Sequence, residues 1–202
     1  MHGVVTSSRL RCLRPILERW CKINAQLGRE WSSANDAPWW YNERASVSVF
    51  AGAIWRTGEA AFEEYSELKR GKQQLSSGRI DLWFSARMDY FWAEAKFCTI
   101  PFTRSGTQIS RAQTSMKLAK ADARRCPPDG STRRLALVFG CPYIRLTTPA
   151  QLRSRIGWLL QECRKVEHDA FAWAFPRLDR YAKSSDGWIY PGAIVWIKEV
   201  RR

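Results

Sequence analysis

Two runs of alternating residues, only four positions apart, constrain this chain more than any other feature: Arg79-Ile-Asp-Leu-Trp-Phe-Ser85 and Tyr90-Phe-Trp-Ala-Glu-Ala-Lys-Phe97. Alternation with period two is the mark of a β-strand, because successive side chains leave opposite faces of the pleat. So short a connection makes the two strands antiparallel neighbours. Ile80, Leu82 and Phe84 then share one face, as do Phe91, Ala93, Ala95 and Phe97. With both apolar sets facing the same way, Asp81, Glu94 and Lys96 fall together on the other face, beside Trp83 and Trp92. Pairing Ser85 with Tyr90 sets Asp81 across from Glu94, at the roughly 4.5 to 5.5 Å of cross-strand partners.

Two carboxylates at that spacing repel unless one takes a proton or a cation intervenes. Oxygen ligands with no His or Cys beside them suit Mg²⁺ or Mn²⁺ rather than zinc. A lysine two residues beyond the second carboxylate can orient or deprotonate a metal-bound water and stabilise charge developing on a phosphate. Hydrolysis of a phosphodiester uses all three. The alternative for the same residues is a solvated hairpin in which Lys96 pairs Glu94 or Asp81 as a surface ion pair of little worth. Trp83 and Trp92 on that face argue for a covered site.

The flanking segments read as alternating helices and strands. Asn42 to Thr57 is predicted helical, with Val47, Phe50 or Ala51, and Ile54 repeating and Thr57-Gly58 as its stop. Glu59 to Lys69 fits a strand or a continued helix, and Gly71 to Gly78 a turn. A basic helix over Thr107 to Arg125 carries the stripe Ile109, Ala112, Met116, Ala119 and Ala123. Leu135 to Phe139 is a short strand, Thr148-Pro149 opens a helix running to about His168, and Phe171 to Phe175 and Ile189 to Ile197 read as closing strands. The Arg-rich start, Ser7 to Leu27, is read as a packed helix rather than a transit peptide. Leu10, Leu13, Leu17 and Trp20 recur at helical spacing, and Glu18 interrupts the basic run. Trp31 to Trp40 is a polar loop. The class is α/β, and the organisation expected is a single domain over residues 1–202. Within it, 1–38 are an N-terminal helix and loop, 39–140 the core, and 141–202 a C-terminal helix and closing strands.

Charge narrows the partners. The 202 residues carry 33 Lys or Arg against 19 Asp or Glu, a net +14. Between Arg104 and Arg134 eight cations face two acids, Asp122 and Asp129. A basic segment beside paired carboxylates suits a polyanion, so nucleic acid, with DNA preferred, is the expected partner. At 45% hydrophobic residues and 11 Trp the chain is no disordered basic tail. No apolar run reaches the roughly 18 residues of a membrane span, so no membrane partner is expected. Six scattered cysteines without a C-x-x-C pair read as reduced thiols rather than a zinc site, and the expected location is cytoplasmic. A homodimer and a protein partner both stay open.

The residues Gly78-Arg79-Ile80-Asp81-Leu82, then, after an interval, Glu94-Ala95-Lys96, resemble the PD-(D/E)xK nuclease superfamily, whose fold is that of restriction endonucleases. The resemblance covers about residues 42–140, in the order helix, three strands, helix, strand. It departs in having Ile80 where the family places Pro. The resemblance implies a restriction-endonuclease-like core and a Mg²⁺-dependent endo- or exodeoxyribonuclease. Asp81, Glu94 and the Ala95 carbonyl would bind the metal, and Lys96 would act on the attacking water. It also implies a helix glutamate, carried over to Glu43 with Glu59, Glu63 and Glu64 as competitors. Arg79, Gln108, Arg111 and Lys117 would face the nucleic acid. The second function class is a catalytically inactive relative that binds nucleic acid or a protein partner; such relatives usually lose a signature residue, and here Asp81, Glu94 and Lys96 are all present.

Overall fold

The computed structural model describes residues 1–31, 35–70, 75–103, 106–126, 131–145, 148–176 and 182–201. In chain order the elements are β1 (His2–Thr6), α1 (Arg14–Glu30), α2 (Glu43–Trp55), β2 (Ala61–Arg70), β3 (Leu75–Ala86), β4 (Asp89–Thr103) and β5 (Gly106–Thr107). Then follow α3 (Ser110–Ala123), β6 (Thr132–Arg145), α4 (Pro149–Cys163), β7 (Ala170–Ala174), β8 (Ala182–Lys183), β9 (Trp188–Tyr190) and β10 (Ala193–Glu199). The main sheet runs β1-β7-β10-β6-β4-β3-β2. It is mixed: β4 and β6 are parallel, while the other neighbours along this path are antiparallel. The chain is an α/β protein, with α1 and α2 on one face of the sheet and α3 and α4 on the other.

The hairpin register is as the alternation predicts, Ser85 opposite Tyr90 and Leu82 opposite Ala93, closed by Arg87 and Met88 between Ala86 and Asp89. Asn42 caps α2, its side chain accepting the Ala45 N–H at 3.0 Å, and so fixes Glu43 as the first helical residue. Thr148 and Gln151 form a capping box on α4. The stripe on α3 is seated as expected, with Ala112, Met116, Ala119 and Ala123 buried. β6 is central, and Leu135 to Phe139 are buried on both faces, which is why that segment is apolar without alternation.

Several expectations need correction. The segment 1–38 is more than a helix and loop: His2–Thr6 is a strand paired with β7, some 170 residues away, a contact with no local sequence signal. Residues Ser8–Leu13 are 3₁₀ and the α-helix begins only at Arg14, where Pro15 takes an early position that needs no N–H donor. α4 ends at Cys163, short of His168. The last strand does not close the sheet but lies inside it, between β7 and β6. The basic helix begins at Ser110, and the turn expected from Gly71 lies outside the described residues up to 74, with strand from Leu75.

The six cysteines form no disulfide. Among the described residues no helix is long and apolar enough to cross a membrane.

Gly140 on β6 is needed for close packing. A Cβ there would stand 2.6 Å from the Trp196 ring and 2.9 Å from Ile100 Cδ1. Trp196 is fully buried and its indole N–H donates to the Cys163 carbonyl at 2.9 Å, so the ring cannot withdraw cheaply. Gly140→Ala is expected to cost about 1 to 3 kcal/mol by overpacking, read as a lowered urea midpoint at unchanged slope.

Candidate active site

The site forms where β3 parts from β4. Their ladder runs from Ala86–Asp89 to Leu82–Ala93 and stops. At the next rung the Asp81 side chain stands in for backbone: its Oδ2 accepts the Ala95 N–H at 2.7 Å. The β2–β3 ladder is also interrupted here, passing from Glu63–Leu82 to Tyr65–Ile80, and Glu64 between them has φ 55°. A left-handed glutamate costs roughly 1 to 2 kcal/mol. The alternation of β3 changes face at this point. Leu82 and Phe84 pack with α1 and α2, whereas Ile80 packs with Trp92 and Cys126 on the opposite side. This corrects the expectation that Ile80, Leu82 and Phe84 share a face.

The departure of β3 leaves the edge of β4 to be satisfied by side chains. Asp81 takes the Ala95 N–H, and the Glu43 carboxylate, arriving from the first turn of α2, accepts from the Phe97 N–H. In a strand a residue's carbonyl points the same way as its N–H, so the Ala95 carbonyl faces this gap too. Glu43 and Asp81 line a small cavity with Arg44, Val47, Glu63 and Glu64. Lys96 reaches the same region from β4, its Nζ 3.0 Å from Asp122 Oδ2 of α3. Glu94, only 3% exposed, is held by Lys69 Nζ of β2 at 2.5 Å and accepts from Cys126 Sγ at 3.5 Å.

Charges in the cluster are mutually tuned. Burial lifts the Glu43 carboxyl above its ordinary value and Asp81 and Asp122 push the same way, against the pull of Lys96 and the Phe97 N–H. Burial raises Glu94 as well, with Asp81 adding to it and Lys69 opposing. For Lys96 burial works against the charge, but Asp122, Glu43 and Asp81 outweigh it and hold the ammonium above its ordinary value. Burial pushes the Cys126 thiol up to about 12, so it meets Glu94 as an S–H donor.

Glu43, Asp81 and Lys96 are therefore brought together, with Glu94 beside them but spoken for by Lys69. Neither partner in the solvated-hairpin alternative is the one observed, since Lys96 pairs Asp122 and Glu94 is buried. Of the competing glutamates, Glu59 caps the hairpin end through Ser85 Oγ and the Arg87 N–H, and Glu63 accepts from Ser48. Glu64 bridges Arg79 at 3.1 Å and Arg44 at 3.5 Å.

The four residues assigned to nucleic acid are not gathered at the carboxylates. Arg79 is exposed and tied to Glu64, and Gln108 is exposed just before α3. Arg111 donates to Thr99 Oγ1 at 3.0 Å in an open cleft between β4 and α3, and Lys117 is exposed further along α3.

Three site residues escaped the sequence reading: Lys69, Asp122 and Cys126. Asp122 had a signal, being the one acid in α3 and adjacent to Ala123 of its buried stripe. Lys69 had none of its own. Its stem lies over Gly78, where a Cβ would stand 3.0 Å from Lys69 Cδ, so the Gly78 ahead of Arg79 makes room for it.

Among the described residues no three His, Cys, Asp or Glu side chains are clustered as a ready metal centre. The donor set is nonetheless hard oxygen, the Asp81 and Glu94 carboxylates with the Ala95 carbonyl, which is the chemistry Mg²⁺ or Mn²⁺ takes. Comparisons with protein-family models, curated proteins and solved structures found no match to this chain.

Proposed function

We propose that the protein is a metal-dependent nuclease acting on DNA, with the restriction-endonuclease-like core its residues resemble. The observation that carries this is the meeting of Glu43, Asp81 and Lys96 at the gap between β3 and β4. The order α2, β2, β3, β4, α3, β6, with β6 parallel to β4, supports the fold. Asp81, Glu94 and the Ala95 carbonyl would hold Mg²⁺ or Mn²⁺, which when bound supplies Lewis-acid polarisation of the scissile phosphate.

The remaining chemistry belongs to the side chains. Lys96, kept protonated by Asp122, serves as a cation for the charge developing on phosphate rather than as a base. Glu43, its carboxyl raised by burial, is the group placed to take the proton of the attacking water. The net charge of +14 favours approach of a polyanion to the site.

One observation favours the alternative, a binding protein with a silent nuclease fold: Lys69 already neutralises Glu94. Cleavage assays decide between the two. On linear, circular and branched DNA with Mg²⁺, wild-type protein should cut, and Lys96→Ala should cut about 10²-fold more slowly with DNA binding in EDTA unchanged. No metal-dependent cutting by the wild type would leave the binding reading. Equal cutting by both proteins would remove Lys96 from the mechanism.

A further inference from the structure

Beside the site, the α3 side of the sheet carries a row of aromatic rings that the nuclease reading does not use. Trp83 of β3 lies between Phe62 of β2, at 5.4 Å between ring centroids, and Tyr90 of β4, stacked at 5.8 Å with 17° between planes. Trp55, at the end of α2, meets the edge of Phe62 at 6.3 Å. The row is open: Trp55 is 55% exposed, Phe62 52% and Tyr90 47%. It stays open because α3 packs chiefly on β4 and β6, leaving this face of β2 and β3 without a helix among the described residues. Cross-strand aromatic pairs stabilise a hairpin only modestly, which does not by itself account for rings left in water.

We infer that this ladder is a stacking platform for the bases of a single-stranded polynucleotide, whose backbone then passes the Asp81 site. Trp83 is two residues from Asp81, about 7 Å along the strand at ~3.3 Å per residue. The next ring inward, Trp92, is buried against Ile80 and Cys126, and Cys126 donates to Glu94, so the ladder and the Glu94 carboxylate share a wall. Cations flank the row: Arg56 follows Trp55, Arg87 sits in the hairpin turn and Arg134 stands opposite Trp92 on β6. None of these three has an ion pair among the described residues.

Open ring faces beside unpaired arginines match an unpaired strand, whose base faces are free, and not a duplex, whose base faces are hidden in the stack. A second copy of this chain fits less well. Three half-exposed rings offer roughly 300 Å² per partner, well under half of a standard interface. A two-fold contact would also set the same arginines against one another.

That the bound strand is the one cut rests on the proposed nuclease activity; that the ladder binds a single strand does not. The test is fluorescence anisotropy in EDTA, with labelled oligo(dT) and a duplex of equal length titrated against the full chain. Wild-type protein should prefer oligo(dT). Phe62→Ala and Tyr90→Ala, both at half-exposed rings, should each weaken oligo(dT) binding about tenfold, the loss of one stacked base, with duplex binding unchanged. Tyr90→Phe should retain affinity, and thermal melting should show the variants folded. Unchanged oligo(dT) affinity, an equal loss on duplex, or a wild-type dimer that Phe62→Ala splits in sedimentation would each overturn the inference. Absence of cleavage with Mg²⁺ would overturn the nuclease reading and leave this one standing.

Discussion

Asp81→Asn should reduce Mg²⁺-dependent cleavage by roughly 10³-fold or more while leaving the protein folded. Two roles of Asp81 separate in that substitution. Its Oδ2 completes the edge of β4 by accepting the Ala95 N–H at 2.7 Å, and an asparagine oxygen can do the same. Its charge, which Glu43, Glu94 and Lys96 all sense, is lost. Asp81→Ala removes both, leaving the Ala95 N–H without that acceptor at a cost of about 1 to 3 kcal/mol. The asparagine variant should therefore melt close to wild type and the alanine variant lower, with both inactive. Retained cleavage in Asp81→Asn would show that no cation is held there and would remove the basis of the proposed site.

Replacing Lys69 should have the largest effect on stability. The Lys69–Glu94 pair has side chains only 12% and 4% exposed, so Lys69→Met strands a buried carboxylate and should cost about 3 kcal/mol near pH 8. The pH dependence follows from the direction of the Glu94 shift. Burial raises its folded value above the unfolded one of about 4.3, so the folded state holds the proton more tightly. That contribution is fully present below the unfolded value and is lost as pH rises through the folded value. Without Lys69 the folded value rises further and the window widens upward. The penalty should thus shrink as urea titrations move from about pH 8 toward about pH 5. Glu94→Gln in the Lys69→Met background should recover most of it at high pH. A penalty constant with pH would assign it instead to the lost packing of the lysine stem over Gly78.

These two experiments bear on parts of the site that differ in how they could be read. The β3–β4 hairpin was legible because its information is local. A two-residue turn between alternating runs fixes the register, and the register sets Leu82 against Ala93. Glu43 was reached only through the family resemblance, and the structure makes it the first residue of α2 because Asn42 caps that helix. The partners of Lys69, Asp122 and β1 were not legible, because each meets its partner through contacts distant in sequence.

What the sequence determined by itself is the α/β class, the hairpin register and the residues available to the site. Alternation, capping and turn length act over a few residues and are written in the chain. Which charges meet was decided only in three dimensions. The break in β3 at Asp81, where the pleat changes face beside a left-handed Glu64, moves Asp81 out of simple opposition to Glu94 and into the gap shared with Glu43 and Lys96. Burial then makes each carboxylate seek the nearest cation or N–H. For Glu94 that cation is Lys69, carried in by a strand whose own sequence gives no hint of it.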